Sequence, residues 1–260
     1  MTILDKLAEH AKERVAKAKD YISLSEIRRL AMSMPKGDFD FEKALRSDDI
    51  SFICECKKAS PSKGMIAEDF PYLQIAKDYE AAGADCISVL TEPKWFLGSN
   101  EFLKEIASAV NIPCLRKDFT VDEYMIYEAK TLGASAVLLI VSILSETQLR
   151  EYINICGELG LSALVEVHDE AEAITAINAG AEIIGVNNRN LKDFSVDTEN
   201  SRRLRNLIPR DILFVSESGV KTADDVKALR EIGADAVLVG ETLMKAESKY
   251  DKLKELRGLR

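Results

Sequence analysis

Apolar runs recur along this 260-residue chain at nearly even spacing, and four of them follow the same short signature. A glycine, an alanine and a polar residue stand at 83–85, 133–135, 180–182 and 233–235, about 50 residues apart, each between a helical pattern and a β-branched run. Glycine suits the left-handed turn that ends a helix, and a short apolar run bounded in this way is typical of a buried strand. The signature therefore predicts four repeated helix-to-strand junctions.

A further strand fits between each pair of these units, at 112–118, 163–168 and 212–218, and another at 52–57 begins the series. Helical patterns such as 72–82 and 122–132 separate the strands. The strands are nearly continuous apolar runs, as in parallel sheets buried on both faces. Eight equal βα units favour a closed barrel over an open doubly wound sheet, and no dinucleotide-binding glycine fingerprint follows the first strand. We predict an α/β fold, a (β/α)8 TIM barrel with an N-terminal helical extension.

Residues 1–50 precede the first strand and form the predicted extension. The pattern at 4–19 indicates a charged amphipathic helix, and the pattern at 25–34 indicates a second helix that begins at Ser25 and ends near the Pro-Lys-Gly of 35–37. No linker sets this segment apart, so we expect one domain over 1–260. Two positions stay open for the extension: a cover over the barrel bottom or a flap over the active-site mouth.

Composition narrows the classes of function. The chain is 47% hydrophobic and 30% charged, with the charges spread out, which indicates a folded core. A net charge of −9 argues against nucleic acid as a partner, although a small anion responds to the local field of a cleft. The five cysteines form no CxxC pair, which predicts reduced thiols in the cytoplasm, without disulfides or a metal site. No run approaches the ~18 apolar residues of a membrane span, and no apolar signal core begins the chain, so we expect no membrane partner.

Charged residues stand where barrel strands should be apolar. In the first strand Glu55 and Lys57 share one face and the cysteines take the other, so both charges should point into the barrel, where they are costly unless paired or used. Because TIM-barrel active sites lie at the C-terminal strand ends, we expect such side chains to converge on one opening. We expect His168 to be a hydrogen-bonded rim residue without a catalytic role. Besides Glu55 and Lys57, the charged and polar residues expected at this opening are Lys117 on the third strand, Glu166 on the fifth, Asn187 and Arg189 on the sixth, and Glu217 on the seventh.

Glycine-containing loops after the seventh and eighth strands predict a phosphate site. These loops, at 218–222 and 239–242, are the pair that commonly binds phosphate in barrels. Glycine lets backbone N–H groups approach the anion, and a helix N-terminus adds partial positive charge. The first loop contributes Ser-Pro-Ser-Lys-Gly at 60–64, which adds hydroxyls and another cation. The three loops together predict a small anionic phosphorylated substrate.

These segments together resemble one known family. The sequence Glu-Cys-Lys-Lys-Ala-Ser-Pro-Ser-Lys-Gly at 55–64, with the segments 117–119, 164–167, 185–191, 216–219 and 239–244, resembles indole-3-glycerol phosphate synthase of tryptophan biosynthesis. The resemblance covers essentially the whole chain and implies a monofunctional carboxy-lyase. Such an enzyme closes the ring of 1-(2-carboxyphenylamino)-1-deoxyribulose 5-phosphate with loss of carbon dioxide and water. It implies no metal, nucleotide or covalent cofactor, and we expect a monomer.

The resemblance also implies roles for individual residues. Lys117 is the general acid of ring closure, Glu166 and Lys57 share the later proton transfers, and Glu55 tunes the lysines, whose pKa values a neighbouring cation lowers. The division of the dehydration roles between Lys57 and Glu166 stays open. The remaining implied residues are Asn187 and Ser218 in catalysis; Ser60, Phe96, Leu115, Phe119, Leu138, Arg189 and Glu217 in substrate binding; and Lys57, Ser60, Ser218, Gly219, Val239, Gly240 and Glu241, the last through its backbone, in phosphate binding.

Two other classes of function stay open. One is a different phosphate-binding barrel enzyme, either a sugar-phosphate isomerase or an aldolase that uses Lys117 as a Schiff-base nucleophile. The other is a catalytically inactive phosphate-binding module. The set of Glu55, Lys57, Lys117, Glu166 and Asn187 argues against the module, because binding alone does not need those acids and bases.

Overall fold

The computed structural model describes residues 2–190 and 193–258 and contains a closed barrel of eight parallel strands. Each strand pairs with its neighbours in sequence, and β8 pairs with β1 to close the sheet. The prediction of a (β/α)8 barrel with an N-terminal helical extension is confirmed. Leu191, which ends the 185–191 motif, lies outside the described residues. The barrel strands β1 to β8 are Ser51–Cys56, Cys86–Leu90, Cys114–Lys117, Ala136–Ile140, Ser162–Val167, Ile183–Asn187, Leu213–Glu217 and Ala236–Val239.

The helices alternate with these strands and follow three helices of the extension. A two-stranded hairpin, Ala59–Ser60 with Gly64–Met65, lies between β1 and the helix Tyr72–Ala81, and a 3-10 turn, Val141–Ile143, follows β4. The predicted second helix begins earlier than expected, because the Ser23 hydroxyl, and not Ser25, accepts from the Glu26 N–H and caps it. Within the described residues the helices α1 to α12 are Ile3–Tyr21, Leu24–Ser33, Asp40–Leu45, Tyr72–Ala81, Asn100–Ala109, Glu123–Thr131, Glu146–Leu159, Glu170–Asn178, Glu199–Arg205, Ala223–Ile232, Glu241–Met244 and Lys249–Arg257.

The repeated glycine signature has a physical reason at each of its positions. The four glycines have φ between 77° and 88°, a left-handed conformation that glycine adopts without steric cost. The polar third residue serves the neighbouring strand in two units. Asp85 accepts a hydrogen bond from the Phe52 N–H at 2.7 Å, and Asp235 accepts one from the Phe214 N–H at 2.7 Å. The signature thus ends a helix and satisfies a backbone donor at the start of the adjacent strand.

Alternation along the strands separates an inner core from an outer core. Ile53 of β1 packs inside the barrel, whereas Cys54 and Cys56 pack between the sheet and the helices. The five cysteines are free and buried. This alternation sends Glu55 inward, as the sequence predicts. Among the described helices, none has the length and apolar character to span a membrane.

The extension reaches both ends of the barrel. Helix α3 closes the N-terminal end: Phe41 is fully buried, and the Glu42 N–H donates to the Ser162 hydroxyl at 3.2 Å. Helix α1 lies at the opposite end, where Ile3 and Leu7 line the opening that holds the charged residues. The two positions left open by the sequence are therefore both occupied, by different helices.

Contacts with two buried carboxylates hold α1 at the mouth. The Arg14 guanidinium donates two hydrogen bonds, of 3.0 and 2.6 Å, to the fully buried Asp118 carboxylate just after β3. The His10 ring lies 3.1 Å from the Glu92 carboxylate, which is also fully buried. Pairs whose carboxylate is desolvated are costly to break, so α1 is fixed to the barrel.

Candidate active site

A cavity of about 640 Å³ opens at the C-terminal ends of the strands. Its lining brings together nearly all of the residues singled out in the sequence. Leu115 and His168 are the exceptions: Leu115 is fully buried in the inner core below the cavity floor, and neither residue lines the cavity. The sequence-predicted residues in the lining are Glu55, Lys57, Ser60, Phe96, Lys117, Phe119, Leu138, Glu166, Asn187, Arg189, Glu217, Ser218, Gly219, Val239, Gly240 and Glu241.

Glu55 and Lys57 form an ion pair at the end of β1. The Lys57 Nζ lies 2.5 Å from Glu55 Oε1, and the Ser88 hydroxyl donates to Glu55 Oε2 at 3.3 Å. Burial alone would raise the pKa of the Glu55 carboxyl, but the ammonium groups of Lys57 and Lys117 outweigh it and lower that pKa. Glu55 is therefore an ionised acceptor that keeps the Lys57 ammonium in the cavity.

Lys117 projects from the end of β3 into a group of carboxylates. Its Nζ lies 3.1 Å from Glu217 Oε2 and 3.4 Å from Glu166 Oε2. Burial would lower the pKa of Lys117, but the carboxylates of Glu217, Glu166 and Glu55 outweigh it and raise the pKa above its ordinary value. The expected lowering of this lysine's pKa by a neighbouring cation is therefore wrong, because its closest charged neighbours are anions.

The two glutamates that share Lys117 have pKa values shifted in opposite directions. Burial opposes ionisation of Glu166, but Lys117, His168 and Asn187 all favour its carboxylate and hold its pKa well below the ordinary value. Burial raises the pKa of Glu217 to about 7, and the nearby Glu166 carboxylate adds to the rise, while Lys117 offsets only part of it. Glu217 Oε1 is buried and has no hydrogen-bond partner among the described residues. Lys117 is closer to Glu217, yet the Glu166 carboxyl has the lower pKa because it has additional partners.

Asn187 and Arg189 lie at the end of β6 and just beyond it. The Asn187 Oδ1 accepts hydrogen bonds from the Arg189 N–H at 3.0 Å and from the Ser218 hydroxyl at 3.1 Å, so its amide is oriented. The Arg189 guanidinium donates to the Phe194 carbonyl at 3.2 Å. Asn188, which sequence reasoning missed, is buried and donates to the Ser218 carbonyl at 3.0 Å. Its amide therefore joins the loops after β6 and β7.

The predicted phosphate loops meet at one end of the cavity. Gly219 has φ of 104°, and a Cβ there would lie 2.7 Å from the Thr198 side chain, so glycine is required. At Gly240 a Cβ would lie 2.4 Å from Glu55 Oε1, which shows how closely this loop approaches the β1 ion pair. The Glu241 side chain is engaged by Lys245 at 2.8 Å.

An apolar wall faces these charges. The Phe96 and Phe119 rings have centroids 6.0 Å apart, and Leu138 lies beside them in the lining. Ile3 and Leu7 of α1 complete the wall and were missed, because an apolar stripe on an amphipathic helix does not show what it packs against.

His168 follows β5 and does not line the cavity. Its ring lies between the carboxylates of Glu166 and Glu172, at 3.4 and 3.0 Å. Among the described residues, no group of three or more His, Cys, Asp or Glu side chains is arranged to hold a metal ion.

Comparison with known proteins identifies what this arrangement resembles. A family model described as indole-3-glycerol phosphate synthase matches residues 4–256. The chain is 58% identical over 257 residues to an indole-3-glycerol phosphate synthase from Ruminiclostridium cellulolyticum, covering 98% of this chain and 99% of that one. It is 53% identical over 256 residues to one from Endomicrobium trichonymphae, again covering 98% and 99%.

Two solved structures share the fold of this chain at low sequence identity. The 3-hexulose-6-phosphate synthase of Salmonella typhimurium superimposes with a TM-score of 0.66 at 15% identity, covering 80% of this chain and 96% of that one. The thiamine phosphate pyrophosphorylase of Pyrococcus furiosus gives 0.62 at 19% identity, covering 82% and 96%. At such low identity these matches support the barrel alone.

Proposed function

We propose which residue of the cavity carries out each step of the reaction. The premise is that this chain belongs to the indole-3-glycerol phosphate synthase family. The protein is an indole-3-glycerol phosphate synthase, a carboxy-lyase of tryptophan biosynthesis. In the reaction, an aromatic carbon of 1-(2-carboxyphenylamino)-1-deoxyribulose 5-phosphate attacks the ribulose carbonyl, and carbon dioxide leaves. Dehydration then removes the new hydroxyl as water, with a proton taken from the adjacent ring carbon.

Lys117 is the general acid of ring closure in this proposal. The carbonyl oxygen gains negative charge as the carbon–carbon bond forms, and a proton from the Lys117 ammonium converts it to a hydroxyl. The observation that carries this role is the position of the ammonium, within 3.4 Å of two carboxylates in the cavity. Those anions keep it protonated before the substrate arrives, as an acid requires.

The charges favour a division of the dehydration between an acid and a base. Glu166 is ionised, so it accepts the proton from the ring carbon. Lys57, an ammonium paired with Glu55, protonates the departing hydroxyl. In this scheme Glu55 keeps Lys57 in place, which is a more specific role than general tuning of both lysines.

Different residues of the cavity bind the substrate's two anionic groups in this proposal. The phosphate binds to Ser60, Ser218 and the backbone of the Gly219 and Gly240 loops, with Lys57 nearby. The Arg189 guanidinium presents a planar fork for the carboxylate of the anthranilate ring, which packs on the Phe96 side of the cavity.

Location and assembly follow from the same observations. We propose a cytosolic protein, because buried free thiols are typical of a reducing compartment. We also propose a monomer in which the extension and barrel form one domain, since one chain supplies the whole cavity lining, α1 included. Sedimentation velocity at micromolar concentration tests the monomer; a dimer peak would contradict it.

The appearance of indole fluorescence from the carboxyphenylamino substrate tests the assignment. Lys117→Ala should nearly abolish turnover while substrate Kd, measured by equilibrium binding, stays within about tenfold, because Lys117 acts mainly in the transition state. Lys12→Ala, which removes an exposed lysine of α1, is the control. Near-normal turnover of Lys117→Ala would refute the role of Lys117.

A Schiff-base aldolase is the second candidate to test. Its nucleophile must be a neutral amine, whereas Lys117 is held as an ammonium by the surrounding carboxylates. Borohydride should therefore trap no substrate on Lys117, and a covalent adduct detected there by mass spectrometry would support the aldolase instead.

A further inference from the structure

His168 lies between two carboxylates, one on each side of its ring. Nδ1 is 3.0 Å from Glu172 Oε2, and Nε2 is 3.4 Å from Glu166 Oε1. A neutral imidazole has only one N–H, so either tautomer would turn a lone pair toward a carboxylate oxygen. The imidazolium, with a proton on both nitrogens, is the form that both carboxylates attract; at Nε2 this attraction is that of an ion pair, because Nε2 makes no hydrogen bond within the described residues.

The surroundings fix this ring from the outside of the barrel. Glu172 of α8 accepts from the His168 backbone N–H at 2.8 Å and from the Ser142 hydroxyl at 2.5 Å, so the carboxylate is itself oriented. The Ser142 oxygen also lies 3.4 Å from His168 Nδ1. The Asn200 amide of α9 donates to the His168 carbonyl at 3.1 Å. The ring and its backbone are therefore held from three elements.

Glu166 thereby has a separate cation at each of its oxygens. Oε2 faces the Lys117 ammonium, and Oε1 faces His168. Asn187 of β6 and the carboxyl of Glu217 on β7 are the other polar groups that face it. His168 does not line the cavity, so its effect on the reaction has to pass through Glu166.

We propose that His168 is a positioning residue that, as a cation held by Glu172, orients the Glu166 carboxylate and keeps it ionised for the dehydration step. The inference rests on the proposed role of Glu166. Without His168, the Glu166 carboxylate would be free to rotate and place both oxygens near Lys117, away from the ring carbon that gives up its proton. The geometry agrees with the pKa of His168: burial lowers it, but Glu166 and Glu172 raise it to about 10. The cation is thus present at neutral pH and is lost as the pH rises through about 10.

The protonation state is measurable directly, because the chain has only two histidines. Long-range ¹H–¹⁵N NMR of the unliganded enzyme, with His10→Gln for assignment, should show the His168 ring as an imidazolium at pH 8. Glu172→Gln should lower its titration midpoint by at least one pH unit. A neutral His168 ring at pH 8 in the wild-type protein would overturn the proposal.

Steady-state kinetics test whether His168 acts on the reaction through Glu166. His168→Gln should lower kcat about tenfold and change KM less than threefold, whereas Arg150→Gln, which removes an exposed cation of α7, should change neither. In the double variant with Glu166→Gln, the histidine substitution should add no further loss. If the kcat of the double variant falls by the product of the two single losses, the proposal is overturned. A His168→Gln variant with the kcat and KM of the wild type would overturn it as well. A fully active Glu166→Gln variant would instead refute the proposed role of Glu166. If His168→Gln does not fold, Glu172→Gln provides the same comparison.

Discussion

Glu217 should make the protein less stable as the pH rises, and Glu217→Gln should abolish this effect. The pKa of about 7 in the folded protein lies roughly 2.5 pH units above the ordinary value of 4.5. The folded state therefore binds more protons than the unfolded state between these values, so stability is full below about pH 4.5 and is lost as the pH rises through about 7. At ~1.4 kcal/mol per pH unit, the loss is about 3 kcal/mol, most of it between pH 5 and pH 8.

The cause is visible in the site. Glu217 is buried beside the ionised Glu166, and Lys117 is shared by both carboxylates. Glutamine has the shape of glutamate and stays neutral, so the variant does not acquire a second buried negative charge at high pH. The buried Glu217 carboxyl thus lowers the stability of the folded protein at neutral pH.

Urea unfolding followed by circular dichroism at pH 5 and pH 8 measures the effect. The stability of Glu217→Gln relative to wild type should be about 2–3 kcal/mol more favourable at pH 8 than at pH 5. Glu199→Gln, at an exposed carboxyl of α9, is the matched control and should give the same small change at both pH values. An equal pH dependence in wild type and Glu217→Gln would refute the reasoning.

Three other outcomes follow from the packing. Gly240→Ala places a methyl group 2.4 Å from Glu55 Oε1 and should lower kcat at least tenfold in the fluorescence assay, whereas Gly157→Ala, with nothing within 4 Å of its Cβ, should not. Arg14→Met leaves the buried Asp118 without two of its hydrogen bonds and should lower the free energy of unfolding by about 2–3 kcal/mol; an unchanged urea midpoint would contradict this. The five buried cysteines should react with a thiol-specific disulfide reagent only on unfolding, and rapid reaction in the native state would show that the thiols are accessible.

Much of the fold could be predicted from the sequence because short local patterns specify it. The glycine-alanine-polar signature fixes a helix end and a strand start within three residues, and two of its aspartates bond the neighbouring strand. Period-two alternation correctly directs Glu55 inward and Cys54 outward. Alternation gives the face of a residue but not its depth. Leu115 faces inward like Lys117 two residues later, yet it lies below the cavity in the closed core.

The barrel, the inward direction of its charged residues and their gathering at the C-terminal strand ends could be predicted from the sequence, because helical and strand periodicity are encoded within each segment. Only the assembled barrel shows that α1 lies at the mouth, that carboxylates surround Lys117 and raise its pKa, and that His168 lies between two glutamates. These properties depend on distances between side chains on different elements, which strand register and helix docking set. Lys117 therefore lies beside the carboxylates of Glu166 and Glu217 only in the closed barrel.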